Sequence, residues 1–144
     1  MSSIRSKSND LNFGLNQEDK VLQILQHNWK DEVNIQNTKV RHNNEYLKYD
    51  FESDAGNIWE LKSRRNTKMK YSTTIIPLHK VITTDKSHYF VFNFTDKCCY
   101  IEYDAELFNT FKTTLIRCYR QGDHSNPIPH IEIPVNLLKD LEIP

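Results

Sequence analysis

The run His88–Phe94, HYFVFNF, constrains the fold of this chain more than any other stretch. Neighbouring residues of a strand point to opposite sides. Phe90, Phe92 and Phe94 therefore share one side, and Tyr89, Val91 and Asn93 share the other. A side made only of phenylalanine has to be covered, so this strand belongs to a sheet with a buried face. CCYIEY, beginning at Cys98, reads as the next strand after Thr95-Asp96-Lys97.

Other elements follow from period and turn chemistry. Asn16 reads as a helix N-cap, with Gln17, Glu18 and Asp19 in a first turn whose acids suit the helix dipole. Val21, Leu22, Leu25 and Trp29 then fall on one face of a helix over 17–29. Residues 33–40, 46–52 and 57–63 read as strands. The last two are joined by Ser53-Asp54-Ala55-Gly56-Asn57, which is turn chemistry, so they form a hairpin. Thr73 or Thr74 is expected to cap a helix with Pro77 in its first turn, ending near Val81. Asp104 is expected to cap a helix carrying Leu107, Phe108, Phe111 and Leu115 on one face. HIEIPV is a late strand, and Asn136 is expected to cap a terminal helix, LLKDL. These elements describe a mixed α/β domain around one sheet, over residues 13–144, after a mobile tail at 1–12.

Composition narrows the function. The chain has 144 residues, with 19 basic and 19 acidic side chains and no net charge. A globally basic nucleic-acid binder is excluded, so any basic face has to be local. Gly14, Gly56 and Gly122 are too far apart for a phosphate-binding glycine loop. Cys98, Cys99 and Cys118 give neither a disulfide framework nor a zinc knuckle, and read as small thiols in a reducing compartment. The six histidines, including His124 and His130, show no metal-ligand spacing. No apolar run is long enough to span a membrane, and the first residues lack a signal-peptide core. The expectation is a soluble intracellular protein without a membrane partner.

The hairpin YDFESDAGNIWELK carries the chemistry. Alternation puts Glu60 and Lys62 on one side of their strand, with Trp59 and Leu61 on the other. Asp50 shares a side with Lys48 and Glu52, while Leu47, Tyr49 and Phe51 face opposite. The hairpin brings Asp50 and Glu60 together. Two carboxylates that close repel unless a cation lies between them, and oxygen ligands of this kind suit Mg²⁺ or Mn²⁺. Lys62 stands beside them, placed to orient a water or to stabilise charge on a phosphate. A second acid-x-Lys triplet, Glu18-Asp19-Lys20, sits on the first helix without that context. A solvated strand face with cross-strand ion pairs is the competing reading of the same residues.

The stretch YDFESDAGNIWELK resembles the core motif of the PD-(D/E)XK nuclease superfamily, in which an aspartate precedes a hairpin whose second strand ends in acid-x-lysine. The resemblance implies an α/β restriction-endonuclease-like core of α-β-β-β-α-β order, a mixed central sheet flanked by helices. It also implies Mg²⁺-dependent hydrolysis of phosphodiester bonds, usually in DNA and less often in RNA. By that resemblance Asp50 and Glu60 are metal ligands, the Leu61 carbonyl is a further ligand, and Lys62 is the catalytic lysine. Glu18, on the preceding helix, is the acid often supplied to such sites. Lys80 in TTIIPLHK is the candidate from the following helix, with His79 second. Tyr49 stands where the family's proline would be, and Glu52 and Asp54 are rival ligands. ELKSRRN together with YSTTIIP more loosely resembles predicted nucleases of this superfamily from large DNA viruses.

Arg64, Arg65, Lys68 and Lys70 follow the motif directly. They are expected to contact phosphates beside the scissile bond, with Tyr71 and Thr74 adding hydrogen bonds to the backbone. Capping is the competing role for Thr73. A single site that cuts both strands calls for a homodimer or two encounters. The other functions open to this chain are a non-catalytic nucleic-acid-binding module of the same fold and a protein-interaction domain with surface aromatics such as Tyr46, Tyr49 and Tyr71.

Overall fold

The computed structural model describes residues 17–42, 49–117 and 126–144. The tail at 1–12, the Asn16 cap, Tyr46, Leu47, Lys48, Cys118 and His124 lie outside them. The described chain is mixed α/β, with a mixed six-stranded sheet, a three-stranded sheet and a few short helices.

Helix α1 covers 17–28. Val21, Ile24 and Leu25 are buried because they recur at helical spacing and meet one side of the large sheet. Leu22 and Trp29 pack partly buried against the same cluster, which holds Phe51, Trp59, Tyr89 and Val91. β1 is only Gln36–Asn37. Its expected continuation to Val40 is instead α2, Thr38–His42. Thr38 ends the strand: its N–H donates to Asp50 O, and its hydroxyl donates to Tyr49 O at 2.6 Å.

β2, Phe51–Glu52, and β3, Ile58–Ser63, form the antiparallel hairpin read from the sequence. Gly56 closes it at φ 89°, donating its N–H to Ser53 O. That backbone region favours glycine over any side chain. β3 then runs parallel to β5, His88–Asn93, which pairs antiparallel with β6, Cys98–Glu102.

Parallel neighbours need a crossover, usually a helix. Here the crossover carries a strand, which corrects the helix expected to start at Thr73 or Thr74. Residues Thr73–Pro77 are β4, followed by a 3₁₀ turn at Leu78–Lys80. Thr73, Thr74, Ile75 and Ile76 are all β-branched and favour extended backbone. β8, Ile128–Pro134, supplies an antiparallel partner along the whole of β4. β7, Thr113–Ile116, pairs on the other side of β8. Helix α3 is thereby limited to Ala105–Phe108, with Asp104 capping it by accepting the Leu107 N–H at 3.0 Å. The expected terminal helix is a 3₁₀ turn, Val135–Leu137, and a short strand β9, Lys139–Asp140, that adds to β6.

The two sides of the large sheet are therefore covered differently. α1 covers the Trp59–Tyr89 side. The phenylalanine side is covered mainly by the second sheet, with Phe108 of α3 beside it: Phe90, Phe92 and Phe94 share a core with Ile76, Ile131, Ile133 and Phe108. Each such buried side chain contributes about 1.5–3 kcal/mol. Cys98 and Cys99 are free and buried, and burial pushes both thiols up to about 12. Among the described residues no helix is long and apolar enough to cross a membrane.

Candidate active site

The phenylalanine side of the large sheet changes character at β3. Glu60 pairs with Phe90 and Lys62 with Phe92, so a carboxylate and an ammonium lie on the side that β5 fills with rings. Glu60 is buried, at 4% exposure. The β2–β3 register sets Phe51 opposite Trp59, which places Asp50 opposite Glu60 one step further along. The Asp50 N–H donates to Trp59 O at 3.2 Å, and Asp50 Oδ2 accepts the Leu61 N–H at 2.7 Å. Phe51 and Trp59, on the other side, are fully buried under α1. The alternation read from the sequence thus divides the hairpin into an apolar and a charged side.

Lys80 arrives from the second sheet. Its Nζ lies 3.4 Å from Glu60 Oε1, and Lys62 Nζ lies 3.7 Å from the same oxygen. Lys80 is carried there by the 3₁₀ turn after β4, not by a helix. His79 in the same turn is exposed.

Burial governs the protonation of the cluster. It raises Glu60 from 4.5 to about 7, with the Asp50 charge adding to the rise and Lys80 and Lys62 opposing it. Burial also raises Asp50, against the Leu61 N–H and the charges of Lys80, Lys62 and Lys39. Lys62 is lowered, again first by burial, with Lys80 and Arg64 adding like charge. The site is thus two carboxylates that resist being ionised together, beside two lysines.

Glu18 stands one step away. Its carboxylate accepts from Asn37 Nδ2 at 3.3 Å and pairs with Lys39 Nζ at 3.7 Å. Lys39 links it to the site through its charge on Asp50. Neither Lys39 nor Asn37 was marked by the sequence, because both sit in a segment that reads as plain strand. The rival acids are engaged elsewhere: Glu52 with Arg41 and His42, and Asp54 with Arg41 and Asn34.

The basic residues after the motif divide into two groups. Arg64 ties β3 to the second sheet, donating to Thr74 Oγ1 at 3.3 Å and to Ile75 O. Thr74 is buried by that contact's surroundings, at 7% exposure. Lys68 Nζ donates to Asp140 Oδ1 at 2.9 Å and Leu138 O at 3.2 Å. Arg65, Lys70 and Tyr71 are exposed on the same loop.

A hard divalent cation takes oxygen donors. Asp50 and Glu60 offer side-chain oxygens, and the Leu61 carbonyl lies on the same strand. Burial first, and the Asp50 charge second, raise Glu60; a cation between the two carboxylates would offset both, so the residues present fit such an ion. Among the described residues no three His, Cys, Asp or Glu side chains gather into a metal-binding group; the side-chain donors here are the pair. No family model matches the chain, and no curated protein or solved structure shows significant similarity to it.

Proposed function

We propose that this chain is a divalent-metal-dependent nuclease with a restriction-endonuclease-like core, hydrolysing phosphodiester bonds in DNA. The observation that carries this reading is the convergence of Asp50, Glu60, Lys62 and Lys80 at one end of the layer between the sheets. Asp50 and Glu60 would hold Mg²⁺ or Mn²⁺, with the Leu61 carbonyl as a further ligand. Such an ion supplies a Lewis acid for the phosphoryl oxygen and makes a nucleophile available at neutral pH. Lys62 and Lys80 hold positive charge at Glu60, where they would stabilise the charge that builds on the phosphate. Arg65, Lys70 and Tyr71 present an exposed basic rim for the flanking backbone. Arg64, Lys68 and Thr74 support that rim from within.

The test is cleavage of labelled branched, single-stranded and duplex DNA in Mg²⁺ and Mn²⁺, with wild type beside Glu60→Gln and Lys62→Ala. Cutting by wild type and loss in both variants supports the reading. Equal cutting by all three would remove it.

One observation favours a second reading, a non-catalytic nucleic-acid-binding module. Glu60 already has two ammonium partners and needs no ion to be satisfied. That module binds DNA with a steep salt dependence and cuts nothing.

A further inference from the structure

We infer that the cavity beside Tyr71 receives one unpaired nucleobase of the strand bound over Glu60 and Lys62, which makes single-stranded or locally unpaired nucleic acid the substrate class. The inference rests on the nuclease reading above and deepens it. The cavity measures about 380 Å³ and is lined by Arg64, Asn66, Lys68, Tyr71, Ile75 and Phe94 among others.

Its chemistry is that of a base site. Phe94, at 5% exposure, and Ile75 give it an apolar floor, and Tyr71 gives an aromatic wall. Asn66 brings an amide whose Nδ2 donates to Thr67 O at 2.9 Å and whose oxygen is of a kind that accepts from a base edge. Arg64 and Lys68, which also line it, are held by bonds to Ile75 O and to the Asp140 carboxylate, and Arg64 lends the wall positive charge. A mixed lining of this kind favours a flat, polar-edged ring over an alkyl chain.

Its position is equally telling. Arg64 follows Lys62 by two residues, about 7 Å further just past the end of β3. A strand whose phosphate reaches Lys62 therefore has its neighbouring nucleotide at this cavity. A base paired inside a duplex cannot enter a recess, whereas an unpaired one can.

The turn before Tyr71 is anchored, and Tyr71 itself is left exposed. The turn Lys68–Lys70 is anchored by the Lys68 N–H on Asp96 Oδ1 at 2.9 Å and by Lys68 Nζ on Asp140. It presents Met69 at 71% exposure and Tyr71 at 58% exposure. Lys70 Nζ lies 5.6 Å from the Tyr71 ring centroid. An aromatic platform with a cation beside it is the usual arrangement for tracking a single strand.

The experiment measures binding to the full-length Glu60→Gln protein, which traps substrate without cutting it. The probes are a single-stranded oligodeoxynucleotide, the same length built of abasic residues throughout, and a duplex. The normal strand is expected to bind about tenfold or more tightly than the abasic one. Tyr71→Ala in that background should erase the gap, and Tyr71→Phe should keep it. Tyr71 is exposed, so neither change threatens the fold. Equal binding of normal and abasic strands, or a gap untouched by Tyr71→Ala, overturns the inference. Wild-type cleavage in Mg²⁺ then separates the two ideas. Cutting without base dependence removes the base site and leaves the nuclease standing. No cutting and no binding of any probe removes both.

Discussion

β3 and β5 lie side by side, parallel and in register, yet they treat the same side of the sheet in opposite ways. β5 places Phe90 and Phe92 there, both fully buried, in a core shared with the second sheet. β3 places Glu60 and Lys62 beside them. The rings stabilise the fold by leaving water. The carboxylate is buried to almost the same degree and works against it, as its rise to about 7 records. On the other side of the same two strands there is no such contrast: Trp59 and Leu61 match Tyr89 and Val91 in one apolar cluster. A buried carboxylate in contact with two lysines, beside a row of rings, is what marks β3 as the candidate site.

The largest effects separate the two strands by what each change costs. Phe90→Ala should destabilise the protein by about 3–5 kcal/mol, read by denaturant unfolding. A loss below about 1 kcal/mol would mean that the intersheet core does not depend on this strand. Glu60→Gln should cause no loss of stability at neutral pH and lower DNA cleavage by about 10³-fold. If Glu60→Gln instead unfolds the protein while Phe90→Ala does not, the roles assigned to the two strands are reversed.

The pH dependence sharpens the comparison. The folded chain keeps the Glu60 proton to higher pH than the unfolded chain does. Stability from this group is therefore full below pH 4.5 and is lost as pH rises through about 7. His88, two residues before Phe90, has the opposite sign. Burial pushes it from 6.5 down to about 4, so its contribution is full above pH 6.5 and is lost as pH falls through 4. The two slopes oppose each other between pH 4.5 and 6.5. Glu60→Gln should make stability rise more steeply with pH than in wild type, by up to about 3 kcal/mol between pH 4.5 and 7. Parallel unfolding curves against pH for the two proteins would show that Glu60 titrates normally.

Mg²⁺ gives a smaller effect of related origin. A cation on Asp50 and Glu60 competes with their protons, so saturating Mg²⁺ should raise the melting temperature more at pH 8 than at pH 5. Glu60→Gln should remove most of that rise. An equal rise in both proteins would place the ion elsewhere. Smallest of all, Leu115→Thr on β7 should change stability by no more than about 0.5 kcal/mol, because Leu115 is 69% exposed. A larger loss would show that β7 is covered in solution.

Some of this was legible in the chain because the interactions involved are local. Asp50 faces Glu60 through a hairpin closed by Gly56, and the turn that sets the register lies between them in sequence. The alternation in HYFVFNF fixes which side of β5 is apolar, whatever covers it. Helix α1 follows from its own apolar period, and Asp104 caps the residues directly after it.

What covers each side was a tertiary decision. The stretch TTIIP carried conflicting signals: a proline compatible with a helix start, and four β-branched residues that favour a strand. β8, more than fifty residues away, resolved it by pairing with β4. That pairing put a second sheet where helices were expected, and it set Lys80 against Glu60. Long-range contacts also turned Arg64 and Lys68 inward, onto Ile75 O and Asp140, although the sequence showed only an unbroken basic loop. The amino-acid order by itself determined the carboxylate pair and the apolar faces, since adjacent backbone geometry suffices for both. Only the tertiary structure decided which cations reach that pair, because they come from segments whose conformation depends on partners distant in the chain.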